Sequence, residues 1–172
     1  MDWKHELREI GEGIIIAVIL YLIIQASLMV TLGVEKPLYV VISGSMEPTY
    51  LKGDILVVGR IDVDKIQEGD IIVFDSPFGG IPIVHRVHEV RTEGENRYFV
   101  TKGDNNPFAD PYYQDSYPGI PEQHVIGKPV IKLPKIGWVQ IWLRQLLEKI
   151  GVLRIGFHGF VGVMRCLYPQ PV

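Results

Sequence analysis

One uninterrupted apolar run, GIIIAVILYLIIQASLMVTLGV, constrains this chain more than any other feature. It covers Gly13 to Val34, 22 residues without a charge, between Glu12 and Glu35. As a helix it would be roughly 33 Å long, enough for a hydrocarbon core of about 30 Å. A segment this long and apolar on all faces exceeds what the single modest core of a 172-residue chain encloses. A cleaved leader has an apolar stretch of roughly 7–15 residues. This run continues well past its small pair Ala26-Ser27. It therefore reads as an uncleaved transmembrane anchor, residues 13–34, behind a polar tail, residues 1–12. Lys4 and Arg8 precede it and Lys36 and Lys52 follow, so the cations alone do not orient it.

The rest of the chain is β-rich. PLYVVIS (37–43), DILVVGR (54–60), DIIVFD (70–75), PIVHRVHEV (82–90), RYFVTK (97–102) and HVIGKPVIK (124–132) read as strands. Gly, Pro and Asp punctuate them, which gives a mainly β domain over residues 35–133. Residues 103–123, with four prolines and few aliphatics, read as an ordered functional loop. Residues 134–172 form an amphipathic, membrane-proximal segment. Ile136, Val139, Trp142, Leu143, Leu146 and Leu147 recur at helical spacing, and two tryptophans stand among cations. Such a helix either lies in the membrane interface or packs on the domain's own core. A second span near 150–168 is opposed by Arg154, His158 and Arg165 inside it.

Composition excludes several functions. A net charge of −3 gives no basic footprint for nucleic acid. The single cysteine, Cys166, excludes an intramolecular disulfide framework and a Cys-based zinc site. His85 and His88 fall on opposite faces of one strand, so a shared metal site there is disfavoured.

Chemistry concentrates in SGSMEPT, Ser43 to Thr49. A serine hydroxyl needs a base within hydrogen-bond reach, and that base needs an orienting acid. Ser45, His85 and either Asp104 or Asp110 supply those residue types. Of three Gly-Asp pairs, Gly53-Asp54 and Gly69-Asp70 precede aliphatic strands and read as turns. Gly103-Asp104 instead leads into Asn-Asn-Pro and then Asp110. SGSMEP is not the G-x-S-x-G elbow, which disfavours an α/β-hydrolase.

Four blocks in order, the anchor, SGSMEPT, IPIVHRV and TKGDNN followed by Asp110, resemble type I signal peptidases. The likeness is to the Ser/His branch of archaea, the endoplasmic reticulum and some spore-forming bacteria, in peptidase family S26. It covers residues 14 to about 133. The resemblance implies a catalytic domain of coiled β-sheet tethered by helices. It implies a serine endopeptidase that removes signal peptides from secretory preproteins after small residues, without metal or cofactor. Ser45 matches the nucleophile, His85 the general base, Asp110 the acid that orients it and Asp104 a second important acid. Ser43 matches the position whose hydroxyl forms the oxyanion hole with the Ser45 backbone N–H. Val41, Ile42 and Met46 would meet the substrate, which would pair along PLYVVIS. The implied location is the cell or endoplasmic-reticulum membrane, N-terminus in the cytoplasm, catalytic domain on the far side. Implied partners are preproteins, the lipid bilayer, and the Sec translocon or accessory subunits. Two rivals share the scaffold: a processing peptidase with few substrates, and an inactive membrane-anchored binding module.

Overall fold

The computed structural model describes residues 3–114, 116–149 and 162–164. Helix α1, Trp3–Leu32, runs through the polar tail and the apolar run without a break. In its polar part Arg8 Nε donates to Glu12 Oε1 one turn on, at 2.7 Å. Its His5–Leu32 stretch is long and apolar enough to cross a membrane, and its side chains are not buried in the protein. That fits membrane anchoring. Gly33, at φ +66, ends it by returning its N–H to the Met29 carbonyl at 3.0 Å. Glycine reaches this left-handed conformation without the steric cost a Cβ brings.

The strands are β1 (Leu38–Val41), β2 (Ile55–Gly59), β3 (Ile71–Phe74), β4 (Ile83–Glu93), β5 (Asn96–Lys102), β6 (Ile120–Pro121), β7 (Val125–Leu133) and β8 (Gly162–Met164). Among the described residues they form one sheet in the order β6-β5-β4-β3-β7-β2-β1-β8. The first seven pair antiparallel, and β8 adds in parallel to β1. This is the mainly β architecture expected, and the sheet curls. Three strands separate β1 from β4 along the sheet, yet the residues that follow β1 touch β4 across its concave side. Two apolar clusters hold the curl: Tyr39, Val41, Met46, Leu56, Val58, Val73 and Val84 in one; Ile66, Ile72, Phe74, Ile83, Val87, Phe99, Tyr112 and Ile120 in the other. Val84 and Ile83 are neighbours in β4 that serve different clusters, so β4 is buried on both faces where it carries His85.

Two of the Gly-Asp turns behave as their sequence suggests. Gly53 and Gly69 have φ near +90. Asp54 and Asp70 each accept the backbone N–H three residues upstream, from Leu51 and Gln67, at 2.9 Å. Gly53 has a further use. A Cβ there would lie 2.3 Å from the Trp138 ring, so only glycine leaves the seat that Trp138 occupies. Trp138 opens helix α2, Trp138–Lys149, and Gly137 N–H bonds the Gly53 carbonyl at 2.8 Å. Beyond that seat, Ile136, Val139, Trp142, Leu143 and Leu146 are exposed.

The C-terminal stretch 150–168 falls outside the described residues except for β8. There Gly162, Val163 and Met164 stand opposite Tyr39, Val40 and Val41.

Candidate active site

β1 stops at Val41, earlier than the seven-residue strand read from the sequence. The chain then turns through Ser43–Tyr50. Ser45 therefore sits in a tight turn at the end of β1, with its main chain tied from outside. Asn105 N–H donates to the Ser45 carbonyl at 2.7 Å, and Asn105 Nδ2 donates to the Gly44 carbonyl at 3.2 Å.

Ser45 Oγ lies 2.8 Å from His85 Nε2. On the other side of the ring, His85 Nδ1 meets Asp110 Oδ2. Asp110 also accepts the Thr101 hydroxyl at 2.7 Å, and its N–H bonds the Thr101 carbonyl at 2.7 Å. All three members are withdrawn from solvent: Ser45 is 7% exposed, His85 0% and Asp110 6%. With the carboxylate on Nδ1, the proton belongs on that nitrogen, and the Nε2 lone pair faces the serine hydroxyl. A hydroxyl, an imidazole and a carboxylate in this linear order can draw a proton from oxygen as it attacks an electrophilic carbon.

Asp104 serves a different partner. Arg86 follows His85 in β4 and points to the opposite face. Its Nε and Nη2 donate to the two Asp104 oxygens, each at 2.8 Å. The Thr49 hydroxyl donates to the same carboxylate. The Arg86 hydrogen bonds, then the Thr49 bond, the Arg86 charge and the His85 charge hold the Asp104 carboxyl below the usual carboxylate range, against partial burial. The bidentate pair pins the turn after Ser45 and the 103–106 loop to the same strand. Adjacent residues of β4 thus take one acid each, His85 with Asp110 and Arg86 with Asp104. Thr101, Arg86, Thr49 and Asn105 were not singled out from sequence. The available signal was their place inside or beside the quoted blocks, since Thr101 and Asn105 belong to TKGDNN and Arg86 to IPIVHRV.

Gly103 carries a packing constraint beyond its turn. A Cβ there would stand 2.7 Å from the Ser45 carbonyl oxygen and 2.8 Å from Asn106. Gly103→Ala should push the loop off the Ser45 main chain. We expect turnover to fall by about a hundredfold, the scale on which small displacements of a reacting group act. Far-ultraviolet circular dichroism should remain unchanged, and wild-type turnover in steady-state assays would refute the constraint.

Of the expected substrate contacts, Val41 and Met46 are completely buried in the first cluster, and Ile42 is half-buried. Only Ile42 of the three offers surface to a peptide. Ser43, two residues before Ser45, is half-buried as well.

A β-sheet that curls to set Ser45 against a His85–Asp110 pair, on a chain with an apolar N-terminal helix, defines the class of a membrane-anchored protein with a hydroxyl–imidazole–carboxylate centre. Comparison with known proteins gives the family. Residues 7–90 match the family described as signal peptidase, peptidase S26. The chain is 33% identical over 160 residues to the signal peptidase complex catalytic subunit SEC11 of Schizophyllum commune, covering 83% of this chain and 81% of that protein. It is 38% identical over 126 residues to the Plasmodium falciparum subunit of the same name, covering 72% and 67%. It is 39% identical over 122 residues to SEC11C of Homo sapiens, covering 70% and 64%. The chain belongs to the signal peptidase family S26.

Proposed function

We propose that this protein is a signal peptidase working as a serine endopeptidase: it cuts the N-terminal signal peptide from secretory preproteins after small residues. The observation that carries the reading is the buried chain from Ser45 Oγ through His85 to Asp110. Ser45 Oγ attacks the scissile carbonyl carbon while His85 Nε2 takes the hydroxyl proton. The Ser43 hydroxyl and the Ser45 N–H donate to the oxyanion of the tetrahedral intermediate. His85 then returns its proton to the leaving amine, and water, activated by the same imidazole, releases the acyl product. Asp110 keeps the imidazole in the correct tautomer and steadies its cation. Asp104 acts through Arg86 and Thr49 as a positioning residue.

α1 spans the bilayer with its N-terminus in the cytoplasm and the β-domain on the far side, and α2 lies along the lipid surface by its exposed apolar face. The named relatives are catalytic subunits of a complex, which supports accessory subunits as partners here. The translocon is the expected source of substrate.

The substrate adds as an extended strand to the outer edge of β1, with its chain running towards Ser45. β8 pairs with that edge in this orientation, so it marks the polarity and also stands in the way. Ending the chain before Gly162 should lower KM for a preprotein several-fold with kcat unchanged. An unchanged KM would mean that substrate does not use this edge.

Preprotein processing by the detergent-solubilised full chain tests the function. Cleavage of many unrelated preproteins after small residues is the expected result. Cleavage of one alone would make it a specialist, and cleavage of none would leave a binding scaffold.

A further inference from the structure

The two long hairpins of the domain differ in a way the peptidase reaction does not explain. The tip between β4 and β5 is Glu93-Gly94-Glu95-Asn96, charged and exposed. The tip between β3 and β4 belongs to SPFGGIPIV, Ser76 to Val84, which carries no charge at all. Phe78 stands at that tip 77% exposed.

The apolar tip lies at the end of the sheet where α1 arrives. Arg60 N–H bonds the Leu32 carbonyl of α1 at 2.8 Å. Gly59, just before it, pairs with Lys128 of β7 and packs against Gly127. Gly127 pairs with Val73, and Asp75 N–H bonds the His124 carbonyl at 2.9 Å. The base of the hairpin and the end of α1 thus lie at the same end of the sheet. From there β4 runs 11 residues away, roughly 33 Å, to the charged tip.

The tip is also built to hold its phenylalanine outward. Ser76 Oγ accepts the Phe78 N–H at 3.3 Å, and the Ser76 carbonyl accepts the Gly79 N–H at 2.9 Å. Gly79 and Gly80 have φ of +72 and +84, which turns the chain back. The Tyr112 ring supports Phe78 edge-on at 6.2 Å. Backbone donors satisfied within the turn lower the cost of placing it among lipid groups. An aromatic ring beside them suits the interface.

We propose that the β3–β4 tip, through Phe78, dips into the lipid interface beside α1 and forms an attachment of the domain to the bilayer additional to α1 and α2. With α1 it fixes the tilt of the domain, while the Glu93–Glu95 tip points to water. This inference concerns lipid contact and does not depend on the catalytic roles proposed above.

The test uses the full chain in vesicles of phosphatidylcholine and phosphatidylglycerol, with Cys166→Ser as background. A fluorophore on Pro77→Cys leaves Phe78 in place, and one on Glu95→Cys is the control. Brominated lipids should quench the probe at 77 several-fold more than the probe at 95, and Phe78→Asp should abolish the difference. Equal quenching at the two sites would overturn the proposal. So would full quenching at 77 in the Phe78→Asp protein, which would assign the proximity to α1 alone. A rise in KM for a short soluble peptide in detergent on Phe78→Asp would assign the ring to peptide binding instead and overturn it too.

Discussion

Ser45→Ala should remove all detectable preprotein cleavage, with kcat expected to fall by about a million-fold, as when the serine of a working hydroxyl–imidazole pair is deleted. The effect is large because the members of such a unit act together. Without Oγ, His85 has no proton to move and Asp110 no cation to steady. Fold should not follow activity. The Ser45 hydroxyl bonds His85, and the Asn105 bond to the Ser45 carbonyl is made by the main chain and survives the substitution. Single-turnover cleavage and thermal melting of the same preparation check both halves. Retained cleavage with an intact melt would dismiss Ser45 as nucleophile.

Asp110→Asn and Asp104→Asn should separate by about two to three orders of magnitude. The amide at 110 offers its NH2 or its carbonyl to His85 Nδ1 and no longer compels the tautomer that leaves Nε2 free. About a ten-thousandfold loss in kcat is expected, the scale measured for such a change elsewhere. The amide at 104 breaks the ionic half of a bidentate pair with Arg86 on the other face of β4. Losing a charge-assisted bond of about 1.5–3 kcal/mol displaces the turn without removing any reacting group, so about a ten- to hundredfold loss is expected. The pH profile divides the roles further. Asp110→Asn should reshape the limb that reports the base, whereas Asp104→Asn should lower the whole profile and keep its shape. Equal losses with identical profiles would refute the division of labour.

Legibility in the sequence followed the range of the physics. Hydrophobic length and period are local properties, so the anchor and six of the strands were placed before any fold was known. Gly53 and Gly69 were legible for the same reason, because a positive φ is a demand of a few residues on one another. The strand that carries His85 was legible from its block, since the aliphatic residues around it already marked it. The ends of elements were less so. β1 stops at Val41 because the following residues are taken by turn bonds and by Asn105 from a distant loop.

What the sequence by itself determined is the membrane-length helix, the β-rich domain and the inventory of hydroxyl, imidazole and carboxylate. Only the tertiary structure decided how the inventory pairs. Ser45 and His85 are 40 residues apart, and His85 and Asp110 are 25 apart. They meet because apolar burial curls the sheet, and no local preference encodes that curl. Asp104 and Asp110 are equivalent in type and share one loop. Their partners differ because alternate residues of β4 face opposite sides: His85 and Thr101 receive Asp110, and Arg86 receives Asp104.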